Sequence, residues 1–174
     1  MPKAHLQEIM PYRPDDLLGM VTNVEQYPSF LNFVSSMRVL GPRERIGDIE
    51  TFEAQMNVAY KMVSESVRCS VTIDYAKRSV IVRNSDKPGP LKTLINDWKF
   101  TELSDGRTVI DFMVNVTLKS FPLNLLAAQK FGSVTDKIMD IFKLRAAQIL
   151  RPVKEDPKID LAAEFKDLNL KRLV

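Results

Sequence analysis

Three stretches of this chain alternate apolar and polar residues with a period of two, and a single long helical pattern follows them all. Phe52, Ala54, Met56, Val58, Tyr60 and Met62 share one parity, and Val67, Cys69, Val71, Ile73 and Tyr75 share the next. Ile110, Phe112, Val114, Val116 and Leu118 make the third row. Strict alternation marks strands buried on one face only, which is the habit of antiparallel sheets. From Phe121 to Leu150 the period changes to about 3.6, the signature of an amphipathic helix. One helix laid across a wide curved sheet leaves apolar surface uncovered, so an α+β fold with an apolar cavity between sheet and helix is expected.

At 174 residues the chain suits one domain that buries roughly 70% of its unfolded surface. We expect residues 1–150 to form it, with 151–174 as a tail made of a linker and a weakly amphipathic helix. That tail carries Ile159, Leu161, Phe165, Leu168 and Leu170 among charges. The lone Cys69 excludes an internal disulfide and agrees with a reducing compartment. The first residues lack the apolar core of a signal peptide, and no run approaches the ~18 apolar residues of a membrane span. The expectation is a cytoplasmic protein, peripheral at most on the inner face of a membrane. A net charge of +3 permits contact with anionic lipid or RNA without demanding it.

Residues 5–12 read as the first strand, and Pro14-Asp15-Asp16 as a helix start with proline and acids in the first turn. Tyr27 to Val34 reads as a second, aromatic-rich helical piece. Gly41-Pro42, Gly47-Asp48 and Ala76-Lys77-Arg78 mark strand breaks, Asn84 to Pro90 a loop, and Ser104-Asp105-Gly106-Arg107 a hairpin turn. In the long helix Leu123, Ala127, Phe131, Val134, Ile138, Phe142 and Ile149 form the inward stripe. Gly132-Ser133 interrupts it, either because the helix packs closely there or because it hinges.

Catalytic chemistry is not legible. His5, the only histidine, has no ligand-spaced partners, and Cys69 sits in an apolar row as a small buried hydrophobe. No nucleophile has a base at hand, no glycine-rich phosphate loop is present, and acids such as Asp97 and Asp111 fall on the polar parity. A non-enzymatic protein requiring no cofactor is expected. DNA or RNA readout through exposed aromatics is disfavoured, because Phe52, Phe100 and Phe112 lie on the buried parity. Leu94, Asn96, Trp98 and Phe100 share a strand face, so Asn96 points inward and needs a partner. That partner is the backbone, a water, or the polar head of a ligand. Arg145 lies beside the helical stripe, either paired and snorkelling or in contact with a ligand oxygen. Lys77, Arg78, Lys87 and Lys92 suggest a basic rim, with Lys87, Leu91 and Lys92 as the membrane contact.

Several stretches resemble a known family. Tyr27-Pro28-Ser29-Phe30-Leu31, then Gly89-Pro90-Leu91 with Leu94-Ile95-Asn96-Asp97-Trp98-Lys99-Phe100, then Phe142-Lys143-Leu144-Arg145-Ala146 occur in family order. Together they resemble the coenzyme Q-binding Coq10 proteins and the ribosome-associated RatA proteins of the START-like polyketide cyclase superfamily. The resemblance spans about residues 3–150. Where the family continues its first motif with Pro, Trp and Cys, this chain has Asn32, Phe33 and Val34. The resemblance implies a helix-grip fold, a curved antiparallel sheet wrapped around the long C-terminal helix. It also implies a ligand tunnel, with ubiquinone or a similar isoprenoid lipid bound and carried without catalysis in support of respiratory electron transfer. The alternatives are association with the large ribosomal subunit, as in RatA, and a cyclase-type enzyme. The ligand contacts expected on this basis are Tyr27, Pro28, Phe30 and Leu31 from the first motif. Phe52, Met56, Tyr60, Val71, Asn96, Trp98, Phe100, Phe112 and Val114 join them from the strands, and Phe131, Ile138, Phe142 and Arg145 from the helix.

Overall fold

The computed structural model describes residues 3–60 and 63–165, so Met62, Leu168 and Leu170 lie outside the described residues. Nothing is described of the side chains of Tyr60 and Leu123. Among the described residues seven strands form one sheet in the order β1-β7-β6-β5-β4-β3-β2, antiparallel at every pairing. They are β1 (Lys3–Met10), β2 (Val34–Ile46), β3 (Ile49–Tyr60), β4 (Val63–Asp74), β5 (Ser79–Asn84), β6 (Leu91–Glu102) and β7 (Thr108–Leu118). Helix α1 (Pro14–Thr22) and a 3-10 helix (Val24–Ser29) separate β1 from β2, and the long α2 (Phe121–Ile149) follows β7. A short α3 (Leu161–Glu164) lies in the tail. β1 and β2 are consecutive strands at opposite edges, so the α1 segment has to cross the sheet and closes one side of its apolar face.

Each alternating row faces the interior. Phe52 and Ala54 on β3, Cys69, Val71 and Ile73 on β4, and Ile110, Phe112 and Val114 on β7 are buried. They join Leu17, Leu18 and Val21 of α1 in one core with Met139, Phe142 and Ala146 of α2. On α2 the covered line therefore includes Met139 and Ala146, which the sequence stripe omitted. Ile149, placed in that stripe, is 47% exposed in the final turn, because the burial of α2 ends at Ala146. Close packing does not explain Gly132 either: a Cβ there would meet nothing within 4 Å.

Three boundaries differ from expectation. β1 spans Lys3–Met10 rather than residues 5–12. The Tyr27 segment is a 3-10 helix that ends at Ser29, around Pro28, which has no N–H to extend a regular helix. Gly41-Pro42 does not break β2. Gly41 takes φ 73 inside a register shift between Leu40 and Glu44, and that bulge lets the strand bend and continue to Ile46.

After α2 the chain turns back along the domain. Val153 N–H donates to the Pro11 carbonyl at 2.7 Å, and the Ser104 N–H donates to the Glu164 carboxylate at 3.1 Å.

Candidate apolar ligand site

The mismatch between one helix and a wide sheet leaves a cavity of about 310 Å3. Strands β2 to β7 supply one wall, α2 a second, and the α1 and 3-10 segment a third. Among the described residues its lining holds no carboxylate, histidine, lysine or arginine.

The polar side chains on the wall are turned to internal partners. Thr22 Oγ1 donates to the Leu18 carbonyl at 2.8 Å, and Thr135 Oγ1 to those of Phe131 and Gly132 at 3.0 and 2.9 Å. The Tyr27 hydroxyl donates to the Val21 carbonyl at 2.5 Å. Burial pushes the Tyr27 phenol far above its ordinary value, and the nearby Cys69 adds to the shift. Cys69 Sγ lies 3.8 Å from the Ala54 carbonyl. Its thiol is pushed up to about 11, mainly by burial and secondarily by Glu53. Asn96 Nδ2 donates to the Met113 carbonyl at 3.0 Å, and its Oδ1 accepts from Trp98 Nε1 at 3.0 Å. The amide thus has a backbone and an indole partner and needs no ligand to satisfy it.

Aromatic rings close the wall between the 3-10 helix, β6, β7 and α2. The Trp98 ring meets Phe112 at 4.4 Å and Phe142 at 5.6 Å between centroids, both edge-on. Tyr27 meets Phe142 edge-on at 5.6 Å. Such contacts add about 0.5–1.5 kcal/mol each beyond area burial and hold the wall rigid.

Of the residues singled out in the sequence, Tyr27, Leu31, Met56 and Val71 line the cavity. So do Asn96, Trp98, Phe112, Val114, Phe131, Ile138 and Phe142. Others do not reach it. Pro28 is absent from the lining, and Phe30 packs behind the wall, 5.4 Å from Phe142. Arg145 shares the helical line of Phe131 and Ile138 but lies two turns nearer the C-terminus of α2, where its guanidinium stands 5.2 Å from the Phe30 ring rather than on the cavity wall. Phe52 is buried beneath Arg43, whose guanidinium stands 4.1 Å from the ring. Phe100 stacks on Trp98 at 6.1 Å, one residue pair deeper in the core.

The proposed rim is also rearranged. Lys77 and Arg78 sit in the β4–β5 turn and Lys87 in the β5–β6 loop, so β5 holds them at opposite ends of the sheet. Arg78 is engaged there by Asp15 and Glu102 at 3.0 and 3.1 Å. Lys87 and Lys92 are exposed, but Leu91 is only 5% exposed. A register shift between Leu91 and Thr93 inverts the local parity and turns Leu91 to the covered side.

Several lining residues went unnoticed. Val67, Cys69, Leu94 and Val116 share strand parities with the expected contacts, so their signal is present, whereas Val80 and Val82 come from β5, where no contact was expected. Val21 and Val24 stand at helical spacing with Leu17 and Leu18, which marks a buried face without assigning it to the cavity, and Thr22 carries no signal. Phe33 and Val34 also line the cavity, in the stretch where the chain departs from the first family motif.

Comparison with known proteins agrees with this geometry. Ribosome association toxin RatA of Escherichia coli K12 is 24% identical over 152 residues, covering 86% of this chain and 89% of that protein. Coenzyme Q-binding protein coq10 of Schizosaccharomyces pombe, a mitochondrial protein, is 24% identical over 138 residues, covering 79% and 82%. An 18 kDa protein of Caulobacter crescentus superposes with a TM-score of 0.70 at 28% identity over 86% of this chain and 98% of its own. A START superfamily protein of Mycobacterium smegmatis gives 0.70 at 12% identity over 84% and 98%, which identifies the fold as helix-grip. The family profile described as polyketide cyclase / dehydrase and lipid transport matches residues 10–143, and the chain belongs to that family.

Proposed function

We propose that this protein binds an isoprenoid quinone such as ubiquinone, or a closely similar lipid, and carries it unchanged in support of respiratory electron transfer. The observation that carries the reading is the cavity wall: Thr22, Tyr27, Cys69, Asn96 and Thr135 all direct their polar atoms to internal partners. A site built this way favours apolar shape over hydrogen-bonded recognition. The described lining residues include no carboxylate, histidine, lysine or arginine, and burial keeps the Tyr27 and Cys69 protons in place, which counts against proton transfer at this site. The likeness to coq10 supports the quinone in particular. The volume lies near the lower end of the usual range for small-molecule sites, so a head group and a short stretch of tail fit inside while a longer tail must leave through an opening.

Trp98 is the chain's only tryptophan and lies on the cavity wall, which gives a direct test. Quinones quench indole fluorescence on contact. Titration with a short-chain ubiquinone should dim Trp98 saturably, and lipids extracted from protein purified from its native host should contain quinone. Linear quenching equal to that of free tryptophan, with no quinone in the extract, would overturn the reading.

The match to RatA favours a second reading, association with the large ribosomal subunit. Salt-resistant co-sedimentation with that subunit by protein that binds no quinone would establish it in place of the first.

A further inference from the structure

Along α2 the buried residues Ala146 and Met139 lie seven positions apart on one line of the helix, and continuing that line backwards reaches Gly132 and then Leu125. Phe121 stands one turn before Leu125 on the same face. The face is covered at its C-terminal end and bare at its N-terminal end. Leu125 is 52% exposed and Phe121 is 72% exposed, and the space around Gly132 is open. The bare end is nonetheless held firmly. Asn124 clamps it to the end of β7, accepting from the Leu118 N–H at 2.7 Å and donating to the Leu118 carbonyl at 2.6 Å.

Two residues before Phe121, Lys119 enters a second feature. An open groove of about 510 Å3 runs over β3 and β4 beneath the β5–β6 loop, with Arg68, Lys87 and Lys119 on its walls beside Gln55 and Ser66. Asp86 is the single acid among its described lining residues. The Lys119 N–H bonds the Pro90 carbonyl at 2.9 Å, which ties the loop to the start of α2. Gln55, Ser66 and Arg68 have the strand parity opposite that of the cavity-lining Met56, Val67 and Cys69, so the groove lies on the outer face of the sheet, and Lys119 joins it to the bare start of α2 at the end of the sheet where Leu94 and Val116 line the cavity.

We infer that this end of the protein docks on an anionic lipid surface, with Phe121 and Leu125 entering the bilayer and Arg68, Lys87 and Lys119 meeting lipid phosphates. Apolar insertion beside a cationic cluster is the combination that an interfacial contact requires. It rests on the carrier reading only for its purpose, since a quinone tail that leaves the cavity at this end would pass directly into the bilayer.

Flotation of the full chain with phosphatidylcholine vesicles, with and without phosphatidylglycerol, tests it. Binding should require the anionic lipid and weaken with added salt. The double substitution Phe121→Ser with Leu125→Ser should lower binding at least tenfold, and Lys87→Glu with Lys119→Glu should remove its dependence on phosphatidylglycerol. Both variants should keep the wild-type unfolding midpoint and wild-type Trp98 quenching by a short-chain quinone. As an independent readout, an environment-sensitive dye on Phe121→Cys should shift to the blue on anionic vesicles only. Absence of flotation, flotation indifferent to the Phe121/Leu125 pair, or a dye that responds instead to self-association or to ribosomal subunits would overturn the inference. If a short-chain quinone fails to quench Trp98 while the protein still floats, the ligand assignment falls and the docking surface stands.

Discussion

Trp98 Nε1 donates a hydrogen bond to Asn96 Oδ1, two residues earlier on the same face of β6, and Asn96 in turn donates to the Met113 carbonyl on β7. The amide therefore acts as a spacer that fixes the indole against Phe112 and Phe142 and keeps a polar group from reaching into the cavity. Asn96→Leu leaves the buried indole N–H without an acceptor, and an unsatisfied buried donor costs about 1–3 kcal/mol. Urea denaturation should show a loss of that size. Trp98 emission should change even without ligand, and quinone affinity should change little. A large change in head-group preference with undiminished stability would return Asn96 to the role of a ligand contact.

Filling the cavity should separate binding from folding. Ile138 lines it from α2 and is only partly buried, so Ile138→Trp has open volume to enter and avoids the strain of overpacking a full core. Quinone affinity should fall at least tenfold, read by equilibrium dialysis because the new indole would confuse the Trp98 quenching signal. The unfolding midpoint of the Ile138→Trp protein should stay within a few degrees of wild type. Undiminished binding would place the ligand elsewhere.

The alkaline limb of stability should carry the mark of the cavity wall. Burial raises the Cys69 thiol from an ordinary value of 9.0 to about 11. Below pH 9 the thiol is protonated in both folded and unfolded chains and contributes no pH dependence. Above it the unfolded chain releases the proton first, so stability falls between about pH 9 and 11, by about 2–3 kcal/mol for a two-unit shift. Tyr27, raised in the same direction, steepens the fall above its ordinary value of 10.0. Denaturation series should give a shallower slope for Cys69→Ala than for wild type over this window. Identical slopes would mean that the thiol is solvated in the folded state.

The strand rows were legible because burial on one face writes a period of two directly into the sequence, and the helix grip followed from rows of that width facing one helical stripe. Leu91 was misplaced because a bulge is an event of pairing, invisible until β6 meets β7. Arg145 does not reach the cavity although it shares the line of Phe131 and Ile138, because helical periodicity fixes direction and not how far along α2 the cavity extends. The supposed basic rim failed on topology, since proximity in sequence across β5 becomes separation by the length of a strand. That Val21, Thr22 and Val24 reach the cavity depends on β1 and β2 occupying opposite edges, which no local pattern records.

One glycine links the fold to the docking surface. Gly89 holds φ 68 in the β5–β6 loop, and a Cβ there would come within 2.5 Å of the Ser66 carbonyl oxygen, which belongs to β4 and cannot swing aside. The left-handed conformation alone costs a side-chain-bearing residue about 1–2 kcal/mol, and the backbone collision adds to it. Gly89→Ala should therefore lower stability by at least that amount and lift the loop from β4. Lys87 lies on this loop and Pro90 accepts from the Lys119 N–H, so the cationic groove should lose its shape along with the start of α2. Anionic vesicle binding should weaken, while quinone quenching of Trp98, set by groups deeper in the sheet, should persist at temperatures well below the midpoint. Denaturation, flotation and fluorescence on the one variant measure all three. Wild-type stability in Gly89→Ala would mean that the loop does not rest on β4 in solution.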